Sequence, residues 1–193
     1  MTVTPINPTN QPYKYVFVVI GPAGSGKTTM AKAVSEKLGF EYIEGDDLHP
    51  KANIEKMSQG HPLNDNDRWG WLHNCGGACA MELDKESIKG VVLTCSALKR
   101  SYRDILRSSL EHRPAILRFI YLAASRETLI KRTTSRKNHY MKADMVESQL
   151  AILEAPTADE KDVITISVEN GKEQSEEECL DIVHKMVNEN KQP

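Results

Sequence analysis

The sequence has no apolar stretch approaching the roughly 18 residues that a membrane-crossing helix needs, so no span is expected. It also lacks an excess of positive charge. Its 25 Lys and Arg stand against 27 Asp and Glu, a net charge of −2, which argues against a nonspecific binder of nucleic acid or of a membrane surface. Cysteine is scarce. Cys75, Cys79, Cys95 and Cys179 have neither the spacing of a zinc ribbon nor the density of a disulfide scaffold, so free thiols in a reducing cytoplasm are expected. Residues 1–14 contain three prolines but no apolar core and no arginine, which reads as a disordered leader rather than a targeting segment. No repeat and no linker divides the rest. At 193 residues, against about 150 per domain, residues 15–193 are expected to form a single domain.

Against those absences, the apolar pattern is orderly. Tyr15–Ile20 is a continuous β-branched run, short enough for a strand buried on both faces, as in a parallel sheet. Similar short runs recur at 40–44, 90–95, 115–122 and 162–168. Helical spacing fills the gaps: 28–38, a short piece at 53–57, a long helix capped by Asn64 or Asp65, then 98–110, 125–135 and 143–153. Gly70, Gly76 and Gly77 argue for irregularity within the long helix. Ser175 with Glu178 has the form of a capping box and predicts the start of a last helix ending near Asn188. Strands alternating with helices give an α/β class. The expected architecture is three α/β/α layers around a five-stranded, mainly parallel sheet.

Between the first run and the first helix stands Gly21-Pro22-Ala23-Gly24-Ser25-Gly26-Lys27-Thr28, which satisfies G-x-x-x-x-G-K-[ST] in the context that motif requires. Its glycines (Gly21, Gly24, Gly26) let the backbone curl so that several N–H groups face one anion, and the helix start adds partial positive charge. Ser25 and Thr29 belong to the same cradle. Lys27 can reach the β- and γ-phosphates, and the Thr28 hydroxyl can ligate Mg²⁺. ATP with Mg²⁺ is the expected nucleotide. No [NT]-K-x-D reads guanine, and the third apolar run ends Leu93-Thr94-Cys95-Ser96 without the carboxylate of a motor ATPase. The nearest acids instead follow the second run, in Glu44-Gly45-Asp46-Asp47. An acid there suits a kinase of a small hydroxyl-bearing substrate: it can accept the hydroxyl proton or hold Mg²⁺ through water.

Several blocks carry a resemblance. Gly45-Asp46-Asp47-Leu48-His49-Pro50 is similar to the GD-x-x-HP signature of gluconokinases. Asn53–Met57 with Gly60–Leu72 resembles the family's KM-x-x-G-x-PL-x-D-x-DR-x-PWL, with Gly70 in place of the usual proline. Thr94–Asp104 resembles CSALK-x-x-YRD, and Arg132–Met141 with Ser148–Leu150 and Leu153–Pro156 resembles the lid and the helix after it. Shikimate kinases share the general pattern but not the DRWGWL and CSALKR blocks.

The resemblance implies a P-loop kinase fold with a short lid around 132–143. It implies transfer of the γ-phosphoryl group of ATP to the 6-hydroxyl of D-gluconate, giving 6-phosphogluconate for the pentose phosphate pathway. It also favours a homodimer; with no organelle motif the cytoplasm is the default, and the charge balance argues against nucleic acid or membrane as a partner. Other small-molecule kinases, shikimate-type ones included, and a catalytically silent nucleotide-binding module are the alternatives. Asp46 is the expected base or orienting group on the attacking hydroxyl and a water-mediated Mg²⁺ ligand, with Asp47 as its neighbour. Arg68 is expected to clamp the gluconate carboxylate, as a guanidinium can do bidentately. Lys99, or with less support Arg103, would also face substrate. His49 holds a turn, and His139 either reaches gluconate or packs the lid. Arg132 and Arg136, at i and i+4, share a helix face. One of them would meet adenine or phosphate, and the other would neutralise transition-state charge.

Overall fold

The computed structural model describes residues 13–134 and 140–189. The expected leader therefore lies outside the described residues except for its last two, as do Arg136 and His139 of the expected lid. In chain order the elements are β1 (Lys14–Ile20), α1 (Lys27–Leu38), β2 (Glu41–Glu44), a 3₁₀ turn (Gly45–Leu48), α2 (Lys51–Ser58) and α3 (Asp65–Leu83). They continue with β3 (Gly90–Thr94), α4 (Arg100–Leu110), β4 (Ala115–Ala123), α5 (Arg126–Thr134), α6 (Tyr140–Ala151), β5 (Val163–Ser167) and α7 (Lys172–Glu189).

The strands form one sheet in the order β2-β3-β1-β4-β5, and every pairing is parallel. Parallel strands need crossovers, and the helices that supply them cover both faces. Alternation along β1 divides the core. Val16, Val18 and Ile20 face a cluster with Trp71, Leu72, Cys75, Leu106 and Phe119. Tyr15, Phe17 and Val19 face Met30, Val34, Ile120, Cys179 and Val183 on the other side. Because all strands run the same way, the C-terminal ends of β1, β2 and β3 open onto one rim, the usual place for a ligand in such sheets. The four cysteines are buried free thiols.

Two local expectations give way. Helix α3 is continuous over 19 residues despite its glycines. Asn64 and Asp67 close a reciprocal capping box at its start, and a Cβ on Gly76 would lie 2.4 Å from Ser109 Cβ, so that glycine permits close packing on α4. The last helix starts at Lys172, and Ser175 is not its cap. Gly171 turns the chain with φ +96°, and Ser175 Oγ, buried in the first turn, lies 2.7 Å from Gly171 O and 2.9 Å from Ser167 O. Its hydroxyl back-bonds to preceding carbonyls, as serines inside helices do.

Candidate active site

At the end of β1, residues 21–26 wrap into a loop that runs directly into α1 at Lys27. Gly26, the N-cap of α1, has φ +99° and nothing within 4 Å of where a Cβ would stand. Backbone conformation, not space, requires glycine here. No side chain caps α1, so its first amides are left to an outside acceptor. Gly24 also has positive φ, and a Cβ on it would meet Thr133 Cγ2 at 2.8 Å, so α5 packs on the loop. Ser25 is 1% exposed, and its Oγ has no hydrogen-bond partner. Lys27 Nζ donates to Pro22 O at 3.0 Å, folded back over the loop. Thr28 and Thr29 are exposed at the mouth.

Beside the loop lies a cavity of about 280 Å³, lined by Gly26, Thr29, Leu122, Arg132, Val168 and Lys172, among others. Arg132 spans it, with Nη1 donating to Ser25 O at 3.4 Å and Nη2 to Val168 O at 2.7 Å. The guanidinium thus joins the phosphate loop to the turn after β5.

The neighbouring strand end brings up the acids. Glu44, the last residue of β2, accepts from Thr28 Oγ1 at 3.0 Å, from Tyr42 Oη at 2.6 Å and from Thr94 Oγ1. Burial opposes its charge, but these hydroxyls outweigh burial and hold the carboxyl below its usual range. The same burial, with Glu44 beside it, pushes the Tyr42 phenol up. Spacing alone did not single out Glu44. The signal was its place at the end of a strand next to the phosphate loop, where the third strand offers only Thr94. Gly45 follows, with its N–H donating to Thr94 Oγ1 at 3.0 Å and its O accepting from Trp71 Nε1 at 2.7 Å. A Cβ on Gly45 would lie 2.0 Å from Thr94 O, so no other residue fits. Asp46 and Asp47 come next, both exposed in the 3₁₀ turn. Asp46 is thus two residues from a carboxylate that touches the phosphate loop.

On the far side of the turn, His49 stacks on Trp71 with ring centroids 4.3 Å apart. Its Nδ1 lies 3.3 Å from Asn53 Nδ2. Burial lowers the His49 pKa, opposed by Asp46 and reinforced by Arg68, so the imidazole sits within the field of both. Arg68 projects from α3 and is 7% exposed. It forms no ion pair with Asp65 or Asp67: Asp65 accepts from Lys99 Nζ at 2.8 Å, and Asp67 from Lys56 Nζ at 2.6 Å. Arg68 Nη1 has no hydrogen-bond partner. Arg68 and Lys99 flank one ring, with Cζ and Nζ at 5.8 and 5.6 Å from the Tyr102 centroid. The structure therefore gathers Asp46, His49, Arg68, Tyr102 and Lys99 along one surface.

Arg103 does not join them. It is 1% exposed, with Nε and Nη2 donating to the two oxygens of Glu160 at 2.8 and 2.5 Å and Nη1 to the carbonyls of Ala97 and Glu154. All three of its nitrogens are bonded inside the fold and the side chain is buried, so it cannot reach a substrate. Trp71 is core, whereas Trp69 is half-buried, edge-on to Tyr102.

A parallel sheet in this order, with a phosphate loop after its central strand and an acid turn on the adjoining rim, defines a P-loop kinase. The chain matches the AAA domain family over residues 16–156. It is 40% identical over 167 residues to the thermosensitive gluconokinase of Escherichia coli K12, covering 86% of each chain. It is 44% identical over 156 residues to the gluconokinase of Gluconobacter oxydans 621H, covering 79% of this chain and 82% of that one. Its fold superposes on the crystal structure of a gluconokinase from Sinorhizobium meliloti 1021 with a TM-score of 0.78 at 37% identity, covering 93% and 97% of the two chains. A shikimate kinase from Acinetobacter baumannii, TM-score 0.52 at 16% identity, shares the fold alone. The chain belongs to the gluconokinase family.

Proposed function

We propose that this protein transfers the γ-phosphoryl group of ATP to the 6-hydroxyl of D-gluconate. One observation carries the reading. Among the described residues, the only buried side-chain polar atoms without a partner are Ser25 Oγ and Arg68 Nη1. Such atoms are costly unless a ligand satisfies them. One lies in the phosphate loop; the other lies beside the Asp46–His49 turn, where a sugar acid must present its carboxylate. Arg68 pairs with that carboxylate, and Lys99, which bonds both oxygens of Asp65 and has a third N–H, offers that donor to a hydroxyl. The loop amides and Lys27 hold the triphosphate. The cavity spanned by Arg132 receives the base.

The acceptor hydroxyl meets Asp46. Its oxygen forms the new P–O bond as the bond from the γ-phosphorus to the bridging oxygen breaks, and ADP leaves with that electron pair. The alcohol is far too weak an acid to ionise first, so Asp46 orients it and takes the proton late in a loose transition state. Thr28, with Glu44 and Asp46 through water, presents the hard oxygen donors Mg²⁺ prefers, and Glu44 is already held ionised against the Thr28 hydroxyl. When bound, that ion neutralises charge on the β- and γ-phosphates. No helix among the described residues is long and apolar enough to cross a membrane. A homodimer is the assembly the family resemblance supports.

ADP release measured with gluconate, with shikimate and with no acceptor tests the reading. Turnover should depend on gluconate. Turnover with shikimate only, or nucleotide binding without turnover, would end it. Asp46→Asn should lower kcat by about two orders of magnitude or more while ATP still binds.

A further inference from the structure

One amide of the phosphate loop already has a partner from a distant part of the chain. Ala23 N–H donates to Gln149 Oε1 at 2.7 Å, across 126 residues of sequence. Gln149 lies in the last turns of α6 and is half-buried. A carboxamide oxygen is a neutral acceptor presented to a loop whose amides are arranged to grip anions. The same planar group carries Nε2 with two N–H donors, and these have no partner among the described residues.

Helix α6 is tied down beyond that point. Just after it, Glu154 N donates to Leu98 O at 2.8 Å, and a Glu154 carboxylate oxygen accepts from Arg100 N at 2.7 Å. Leu98 and Arg100 flank Lys99, on the acceptor side of the rim. At its other edge α6 is ion-paired to α5 through Glu147 and Arg126. Helix α6 thus grips the phosphate loop through Gln149, and the turn that follows it grips the acceptor-side loop through Glu154. On the reading proposed above, the reacting phosphorus lies between these two loops.

We propose that Gln149 is a further catalytic residue. Its Oε1 fixes the Ala23 amide, and its Nε2 donates to an oxygen of the terminal phosphoryl group of ATP. This rests on reading the loop as the ATP site. A donor whose carboxamide is already tied to the loop through its oxygen needs little reorganisation when charge shifts during transfer, so it acts more strongly in the transition state than in binding.

The test uses Gln149→Ala and Gln149→Glu in the full chain, with affinities for ATP and ADP measured beside kcat. Gln149→Glu retains the acceptor for Ala23 but loses the donor and sets a negative charge against the phosphate. It should lower kcat and ATP affinity roughly tenfold or more while changing ADP affinity less than about threefold. Gln149→Ala should lower kcat by a similar factor, with the thermal midpoint kept. If Gln149→Glu restores wild-type kcat, Gln149 is only a tie between α6 and the loop, and the proposal is overturned. Equal weakening of ATP and ADP overturns it as well. Lys27→Ala separates this from the underlying reading: if that variant still binds ATP normally, the loop is not the nucleotide site, whatever Gln149 does.

Discussion

Arg68 and Arg103 are both buried arginines on the same side of the sheet, and they are treated in opposite ways. Arg103 has all three of its nitrogens bonded to protein groups, two carboxylate oxygens and two carbonyls. One of those carbonyls belongs to Ala97, whose φ of +38° is the only positive value for a non-glycine among the described residues. Arg68, at 7% exposure, keeps one nitrogen with nothing to bond. Folding could have satisfied Arg68, since Asp65 and Asp67 stand near enough to feel its charge, yet both are committed to lysines. A cation saturated within the fold is scaffold. One left partly unsatisfied while its neighbours are occupied is kept for something that arrives later.

The sharpest way to break this contrast is to delete each guanidinium and compare what is lost. Arg103→Leu leaves Glu160, which is 6% exposed, with Arg107 as its remaining partner and should cost about 3 kcal/mol of stability in urea unfolding. The pH dependence should follow. Hydrogen bonding to Arg103 and, after the opposing effect of burial, to Arg107 holds Glu160 down at about 2, below its ordinary 4.5. A depressed carboxylate stabilises the fold above its unfolded value, and that contribution is lost as pH falls from 4.5 towards 2. In Arg103→Leu this acid-side loss should shrink. A variant that unfolds like wild type would remove Arg103 from the scaffold.

Arg68→Leu should do the reverse. Removing an incompletely paired buried charge should leave stability unchanged or slightly higher, while the KM for gluconate rises by roughly 10²-fold and that for ATP hardly moves. An unchanged gluconate KM would mean that the orphan nitrogen serves no substrate.

The two arginines also mark how far the sequence could be read. The glycine-rich loop and the five apolar runs are local signals, and each lies where its pattern puts it, because strands buried on both faces need continuous apolar residues. The role of Arg103 was not local. It depends on Glu160, 57 residues away, and on the chain leaving β3 through Ala97 before α4 begins at Arg100 rather than near Leu98. Glu44 was hidden in the same way, since its partners Thr28 and Thr94 come from the first turn of α1 and the end of β3. Ser175 misled because a Ser with a Glu three residues on fits either a cap or a first-turn back-bond, and Gly171 decides between them.

Thr94 permits a finer comparison, between a hydroxyl that only fills space and one that aims an acid. It donates to Glu44 and accepts from Gly45 N, so it fixes both ends of the peptide leading into Asp46. Thr94→Val keeps the shape but loses both bonds. It should cost about 1–2 kcal/mol of stability and lower kcat by roughly tenfold, with the KM for gluconate changing less. A loss of stability with full kcat would make Thr94 a packing residue only.

The smallest expected effect belongs to His49, which lies in the fields of both Asp46 and Arg68. Burial is the main cause holding its pKa below 6.5; Asp46 works against it and Arg68 with it. A histidine depressed in the folded state stays neutral while the unfolded chain takes up a proton. Its contribution is therefore complete above 6.5 and declines as pH falls from there towards the folded value. Urea midpoints measured on either side of that pH should show the decline in wild type and a shallower one in His49→Gln. In Arg68→Leu the slope should lie between the two, because burial remains but the neighbouring positive charge is gone. An identical slope in wild type and Arg68→Leu would show that Arg68 does not act on His49, and would separate Arg68, proposed to bind the carboxylate, from the turn that carries Asp46.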